Sequence, residues 1–536
     1  MGAFISMELK SSFFPDDVQY WSYLDIWLPN DASLTATNQA TQAAEQVVRQ
    51  VSEQYGRDHP GKDGKPRPIL NSITSFVGGG GPRFWITVSP QQQQLNYAQA
   101  IIEVTDKADT PPLVGAMQTA LSRQIPGARI DARQLQTNPV DMPVQVLLSG
   151  QEVVAATDEV RDIRTLRGLA SQVETILRSS SLATRVRTDW DVESSSVKLE
   201  IDPDRANLAG VTNPDVANSS TAAMSGSTLT AFREGDKQIP VVARLRVGER
   251  SQLSDIQDLY VYSSAQAGVS VPLLEISSIK HTLETQRISR REHFRMISVA
   301  AFPVPGRLNS EALGPVLPAL MEFQKTLPAG YKMQIGGEKA KQTQGFANLM
   351  VVMMVMIFGI YMALLIQFDN AIKPVLVFAA APYGAVGALV SLFIMGVPFG
   401  FMAFLGIISL VGVIISHVIV LFDFIEEMHE KGEPLEVALR DAGIQRLRPV
   451  MITVGATILA LFPLALHGGP LWQPLCYAQI GGLAVATFIT LLLVPVLYSI
   501  FVLDLKIVRW NPPRHSMPAL AESSAGPGSG GPERNL

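Results

Sequence analysis

Apolar and polar positions follow one rhythm before about residue 343 and another after it. Between Glu8 and Lys341 charges recur every few residues. Beyond them come five apolar runs, Gly345–Gln367, Pro374–Val397, Phe401–Phe422, Pro449–Leu466 and Leu475–Leu503, and none holds Asp, Glu, Lys or Arg. A helix needs about 20 apolar residues to cross a bilayer, so the second half predicts an α-helical membrane bundle of five spans.

The first half alternates strand and helix periods. Trp21–Leu28 predicts a strand, and Ser33 caps a helix running to about Tyr55. Ile69–Phe76 and Arg83–Val88 predict strands joined through Gly78–Gly81, Tyr97–Asp106 fits strand or helix, Pro111–Gln124 predicts a helix and Ala128–Gln136 a strand. A second cycle follows: strand Val144–Leu148, helix Arg164–Arg178, strands Thr184–Asp189 and Val197–Ile201, strand Phe294–Ala301, helix Ser310–Thr326 and strand Tyr331–Ile335. This is the rhythm of split βαβ, ferredoxin-like units, an α+β region. Asn213–Met224 predicts a short helix, and Thr228–Phe232 with Ile239–Arg244 predict a hairpin whose polar tip is Arg233–Lys237. The tail Arg514–Leu536, rich in Ser, Gly and Pro, predicts disorder.

Composition narrows the function. Charged residues make up 17% of 536, below the roughly 25% of a soluble domain, and the charge-free runs account for the deficit. A formal net charge of −5 argues against nucleic acid as a partner. Cys476 is the one cysteine, which excludes a disulfide framework and paired-cysteine metal sites. Gly78–Gly81 lacks the following Lys-Ser/Thr of a phosphate loop and reads as a turn, so no cofactor is implied. No Ser-His-Asp, Cys-His or paired-carboxylate pattern supports an enzyme. Lys373, then Lys431, Arg440, Arg446 and Arg448, then Lys506 and Arg509 flank one set of span ends, whereas loops Met395–Gly400 and His467–Pro474 hold no basic residue. The positive-inside rule makes the first set cytoplasmic and the α+β region external, which is periplasmic in a Gram-negative cell, where few cysteines are expected. Met1–Phe14 has no basic leader region and too short an apolar stretch for a signal peptide. Met1–Met7 reads as the tail of a preceding span whose remainder either lies on another polypeptide or is missing from this sequence.

Several stretches resemble the resistance-nodulation-division (RND) efflux permeases of the acriflavine-resistance, hydrophobe/amphiphile type. They are Ser12-Phe-Phe-Pro15, Asp25-Ile-Trp-Leu-Pro29, Thr74-Ser-Phe-Val-Gly-Gly-Gly-Gly-Pro-Arg-Phe84, Ile335-Gly-Gly-Glu338, Arg446-Leu-Arg-Pro-Val-Met-Ile-Thr453, Ile480-Gly-Gly482 and Leu493-Val-Pro-Val-Leu-Tyr498. They span residues 12–505 in the family's order and cover its C-terminal half. The resemblance implies a possible remnant of the preceding span at 1–10, a first porter subdomain at 11–140, a second at 141–193 and 281–342, a docking subdomain inserted at 194–280, five spans within 343–510 and a cytoplasmic tail at 511–536. It also implies an inner-membrane homotrimer, an N-terminal partner half, a periplasmic adaptor of the membrane fusion type and an outer-membrane channel. The hairpin around Arg233–Lys237 matches the family's arm into a neighbouring subunit.

In that family protons drive export through ionisable groups among the spans, where burying a charge is costly and marks function. The position matching the family's relay lysine is Ser416, followed by His417; Arg446 and Thr453 match its basic and hydroxyl positions. An unperturbed imidazole titrates near about 6.5, so His417 either replaces the lysine or is a neutral interhelical hydrogen-bonding group. Ser409, Ser416 and Asp423 recur every seven residues along one helix face, with His417 one step around. Asp423 is a relay member or a solvated helix end beside Glu426 and Glu427. Thr453 and Thr457 pass a proton or bond their own helix, and Gly384, Gly387, Gly481 and Gly482 read as close-packing positions. His467, in the outer loop, reads as surface.

For substrate, Phe76, Phe84 and Trp85 flank the glycine run and line a path for amphiphilic compounds, or are strand core. Export of metal ions is the alternative within the superfamily, set against which Met117, Met142, Met224, Met296, Met321 and Met333 are scattered singly. A fragment inactive without its N-terminal half is the remaining reading.

Overall fold

The computed structural model describes residues 9–137, 140, 142–150, 156–246, 253–266, 268–285, 287–368 and 370–501. The expected preceding-span remnant Met1–Met7, the basic pair Lys506 and Arg509 and the tail from Arg514 lie outside the described residues.

The first unit runs β1 (Trp21–Trp27), α1 (Leu34–Asp58), β2 (Leu70–Val77), β3 (Tyr97–Val104), α2 (Thr110–Gln124) and β4 (Arg129–Gln134). Its sheet has the order β2-β3-β1-β4, all antiparallel. Strand alternation points Leu24 and Ile26 of β1 inward with Ala98, Ala100 and Ile102 of β3, under Ala44 and Val48 of α1 and Leu113, Met117 and Leu121 of α2. Ser33 caps α1, its Oγ accepting from the Ala36 N–H at 3.2 Å.

The second unit repeats that plan with an interruption. It contains β5 (Val144–Ser149), α3 (Ala156–Arg178) and β6 (Ala183–Thr188). An inserted unit follows: β7 (Ser194–Ile201), α4 (Pro203–Leu208), α5 (Asn213–Met224), the hairpin β8 (Ser227–Glu234) and β9 (Lys237–Ala243), β10 (Tyr260–Tyr262), β11 (Ser270–Pro272), α6 (Leu273–Ile276) and β12 (Ser277–Glu284). Antiparallel pairing of β12 with β7 closes the insert, and Val211, Val216, Leu259, Val261, Leu273 and Ile276 form its small core. The second unit then resumes with β13 (Ser289–Arg291), β14 (Phe294–Pro303), α7 (Asn309–Leu313), α8 (Leu317–Lys325) and β15 (Lys332–Ile335). Strand β14 pairs with β5 on one edge and shares the other between β13 and β6, while β15 extends beyond β5. The strand order β6-β14-β5-β15 thus repeats β2-β3-β1-β4 of the first unit.

Two sequence expectations change here. Arg83–Val88 is an irregular loop, not a strand; the strand paired with β2 is β3, and the loop is held instead by the Trp85 indole and the Thr87 hydroxyl, which both donate to Gln136 O. Ser310–Thr326 is not one helix: Pro315 and Pro318 supply no N–H to the helical ladder, and a 3-10 turn at Gly314–Val316 separates α7 from α8.

The apolar half comprises α9 (Gly337–Phe368), α10 (Lys373–Phe378), α11 (Ala381–Ile394), α12 (Phe401–Glu430), α13 (Leu435–His467) and α14 (Gly469–Ser499). Among the described residues four helices are long and apolar enough to cross a membrane, counting Lys373–Ile394 as one. Gly469–Thr490 and Leu492–Ser499, bent by 41° at residue 491, pass the same length and composition test only when taken together. Pro382, early in α11, and Pro495 in α14 each withdraw a ladder N–H where the chain breaks or bends. The four singled-out glycines meet at one crossing: a methyl on Gly387 would stand 2.9 Å from the Gly481 carbonyl oxygen, and one on Gly482 would stand 2.9 Å from that of Gly384.

The two halves are joined by a strap at residues 10–14. The Ser12 N–H donates to Phe399 O at 3.1 Å, Phe399 N–H to Lys10 O at 2.8 Å and Phe401 N–H to Phe13 O at 3.1 Å. Buried Glu338, in the first turn of α9, accepts from the Phe13 N–H and the Asn309 amide.

Candidate functional site

Helix α12 carries the polar positions of the apolar half. Ser409, Ser416 and Asp423 are exposed on the surface of the helical group, and His417 is half-buried beside them. The Ser416 hydroxyl donates to Val413 O at 2.8 Å. No hydrogen bond or ion pair joins His417 to another residue among the described residues. On α13, Thr453 and Thr457 are exposed too; Thr453 donates to Pro449 O at 3.2 Å and Thr457 to Thr453 O at 2.9 Å. Arg446 lies with its guanidinium carbon 5.0 Å from the Phe424 ring centre. The structure therefore leaves Ser416, Asp423 and Thr453 exposed and His417 half-buried, with the hydroxyls of Ser416 and Thr453 bonded to their own helices.

The glycine run turns the chain out of β2. Gly78 has φ +83°, a conformation that glycine adopts without strain, and the Gly81 N–H donates to Gln99 Oε1 at 3.0 Å. Phe76 packs directly under Gly81. Phe84 meets the Tyr23 ring edge-on at 5.9 Å, and the Trp85 indole N–H donates to Gln136 O at 2.9 Å. All three aromatics are half-buried, with Phe84 and Trp85 on a loop over the outer surface of the first sheet.

A basic cluster missed in the sequence joins the two α/β units. Asp131 of β4, 1% exposed, is held by Arg187 Nη2 at 2.6 Å and Arg185 Nη1 at 2.8 Å, both from β6. Arg133, Arg185 and Arg187 lie over the Phe302 ring at 5.5, 4.0 and 5.0 Å. Burial pushes the Asp131 carboxyl up, but the Arg187 hydrogen bond and the arginine charges outweigh it and hold the group below its usual value. A cavity of about 200 Å³ adjoins the cluster, lined by Gln118, Arg133, Arg185 and Phe302 among others. No group of three or more His, Cys, Asp or Glu able to hold a metal ion occurs among the described residues. Of the methionines weighed for metal, Met117 and Met333 lie in the cores of separate units and Met321 is exposed.

Also unforeseen is a polar tie at the α12 end that carries the basic loops. Lys373 Nζ lies 2.5 Å from Glu426 Oε1, which also accepts from the Tyr498 hydroxyl at 3.2 Å. These residues come from α10, α12 and α14, and 53 positions separate Lys373 from Glu426, so no local pattern announces the contact.

Comparison with known proteins identifies the family. The chain matches the model of the AcrB/AcrD/AcrF family over residues 69–502. It is similar to the cobalt-zinc-cadmium resistance protein CzcA of Cupriavidus metallidurans and the cation efflux system protein CzcA of an Alcaligenes species. Each is 28% identical over 397 residues, covering 72% of this chain and 36% of the relative. Two crystal forms of a heavy metal efflux pump share the fold at TM-scores of 0.71 and 0.70 and 21% identity, covering 93% of this chain and 49% of the pump. The chain thus spans about a third of the length of these curated relatives and about half that of the solved pump. With the family match running from the first α/β unit through α14, the chain belongs to the AcrB/AcrD/AcrF family of resistance-nodulation-division efflux permeases.

Proposed function

We propose that this chain forms one half of an inner-membrane efflux permease that exports metal cations in exchange for protons, the stripe on α12 and α13 facing acidic groups of a partner half. The observation that carries the reading is the exposure of Ser409, Ser416, Asp423, Thr453 and Thr457 on helices apolar enough to span a membrane. Polar groups within hydrocarbon face a bundle interior or a water-filled cavity, and here that interior requires another set of helices. His417, free of side-chain partners among the described residues, is the group in the stripe that gains and loses the proton.

The cargo is read from the relatives, whose names specify cobalt, zinc, cadmium and heavy metals. The α/β units at 11–140 and at 141–193 with 281–342 serve as porter subdomains of the ferredoxin-like type, and 194–280 as the docking subdomain. The fully exposed hairpin β8–β9, carrying Phe232, Ile239 and Val241 outward, suits contact with a neighbouring protomer of a homotrimer, and the adaptor and outer-membrane channel complete the export path.

Export of amphiphilic compounds along Phe76, Phe84 and Trp85 is the second reading. It is favoured by the lack of a metal-holding group among the described residues and by the arginines around Phe302, which repel cations. An efflux-deficient strain carrying this chain with its partner half separates the two. Restored tolerance to zinc, cobalt or cadmium supports metal export, tolerance to dyes and detergents supports the second reading, and restoration by this chain alone overturns the half-permease reading.

A further inference from the structure

Helix α12 is tied to α14 at two levels. Toward its start, Gln479 Nε2 donates to Ser409 Oγ at 3.0 Å. Toward its end, the Tyr498 hydroxyl donates to Glu426, which also pairs with Lys373 of α10. The two ties stand 17 residues apart, about 25 Å along the helix, and His417, Ser416 and Asp423 lie between them. These side-chain hydrogen bonds join α12 to other apolar helices.

The distal tie differs from an ordinary surface pair. Exposed ion pairs contribute about 0–1 kcal/mol, but the Lys373 side chain is 13% exposed and that of Glu426 27%. The Tyr498 ring is buried edge-on against Phe422 at 5.3 Å, and Phe422 in turn meets Phe368 at 5.9 Å. Removing one member of such a shielded pair is far more damaging than removing both, because a charge is left without its counterion. The neighbouring charges are otherwise engaged or exposed: Glu427 pairs with Lys431 at 2.8 Å, Arg446 stacks on Phe424, and Asp423 points to the surface. Lys373 therefore has Glu426 as its counterion.

We infer that Lys373, Glu426 and Tyr498 form a latch that fixes the height and rotation of α12 against α10 and α14, and so positions the His417–Asp423 stripe for proton exchange. Glu426 follows Asp423 by three residues, about 4.5 Å, and His417 by nine, about 13.5 Å, so a slip at the latch moves both. The residues of the latch are positioning residues; they hold the helix that carries the titrating group. The role in proton exchange rests on the export reading, whereas the latch itself does not.

The test uses the complete permease. Lys373→Met is expected to lower export about fivefold or more and to shift the pH–export profile by about half a unit, while Lys373→Arg restores rate and profile. The exchanged pair Lys373→Glu/Glu426→Lys retains more than half of the wild-type rate, and the apparent unfolding temperature in detergent falls in Lys373→Met and recovers in the exchanged pair. That stability arm reads the latch even if the wild type exports no metal, so failure of the export reading is seen separately. Wild-type rate, pH profile and stability in Lys373→Met would overturn the latch, as would a folded exchanged pair that recovers none of them. If Lys373→Met does not fold, the exchanged pair alone decides by the same criteria.

Discussion

Arg187 grips Asp131 across the junction of the two α/β units with both ends of its guanidinium fork, at 3.1 Å to Oδ1 and 2.6 Å to Oδ2. Parallel, charge-assisted contacts of this kind fix orientation as well as contributing energy. Asp131→Asn is expected to cost about 3 kcal/mol, since Arg187 and Arg185 lose their buried counterion. Thermal unfolding in detergent reads this as a lower midpoint, and an unchanged midpoint would mean that the units do not depend on the contact.

The same pair sets a pH dependence. The Asp131 carboxyl is held below its usual value in the folded chain, the arginines outweighing the effect of burial. Its contribution is therefore complete above the unfolded carboxylate value of about 3.9 and is lost as pH falls through the lower folded value. Acid unfolding of Asp131→Asn should accordingly be less steep below about pH 4 than that of the wild type.

Gly387 and Gly359 make a matched pair of substitutions. A methyl on Gly387 would meet Val485 Cβ at 2.6 Å and the Gly481 carbonyl oxygen at 2.9 Å, whereas one on Gly359 meets nothing within 4 Å. Gly387→Ala should lower the unfolding midpoint by the equivalent of about 1–3 kcal/mol of overpacking. Gly359→Ala should leave it unchanged or raise it by up to about 1 kcal/mol through helix propensity. Equal midpoints would argue against close packing of α11 on α14.

Phe232 stands 59% exposed on a hairpin whose residues all face solvent. If the hairpin makes the proposed trimer contact, Phe232→Asp should leave the unfolding midpoint of the protomer unchanged and reduce the trimer fraction measured by light scattering. A trimer of undiminished stability would remove the hairpin from the subunit contact.

What the sequence made legible was whatever depends on neighbours in the chain. The alternation predicted over Trp21–Leu28, the Ser33 cap, the helix Asn213–Met224 and four apolar helices long enough to span a membrane all reappear in the described residues. The loop at Phe84 and Trp85 was misread as a strand because strand propensity cannot sense that β3, not this segment, pairs with β2. Asp131 with Arg187 and Lys373 with Glu426 were missed for a related reason: 56 and 53 residues separate the partners, and charges this far apart carry no periodic signal. His417 and Ser416 stood out because polar groups are conspicuous in an apolar run, but a sequence does not show what faces them.

The most direct test of proton-driven export is His417→Ala in the complete permease, reconstituted in vesicles with an imposed pH gradient and assayed for zinc transport. With His417 as the titrating group, gradient-driven transport should fall about tenfold or more, while the unfolding midpoint stays within a few degrees of the wild type. Transport by His417→Ala at the wild-type rate, with the same pH dependence, would contradict that account.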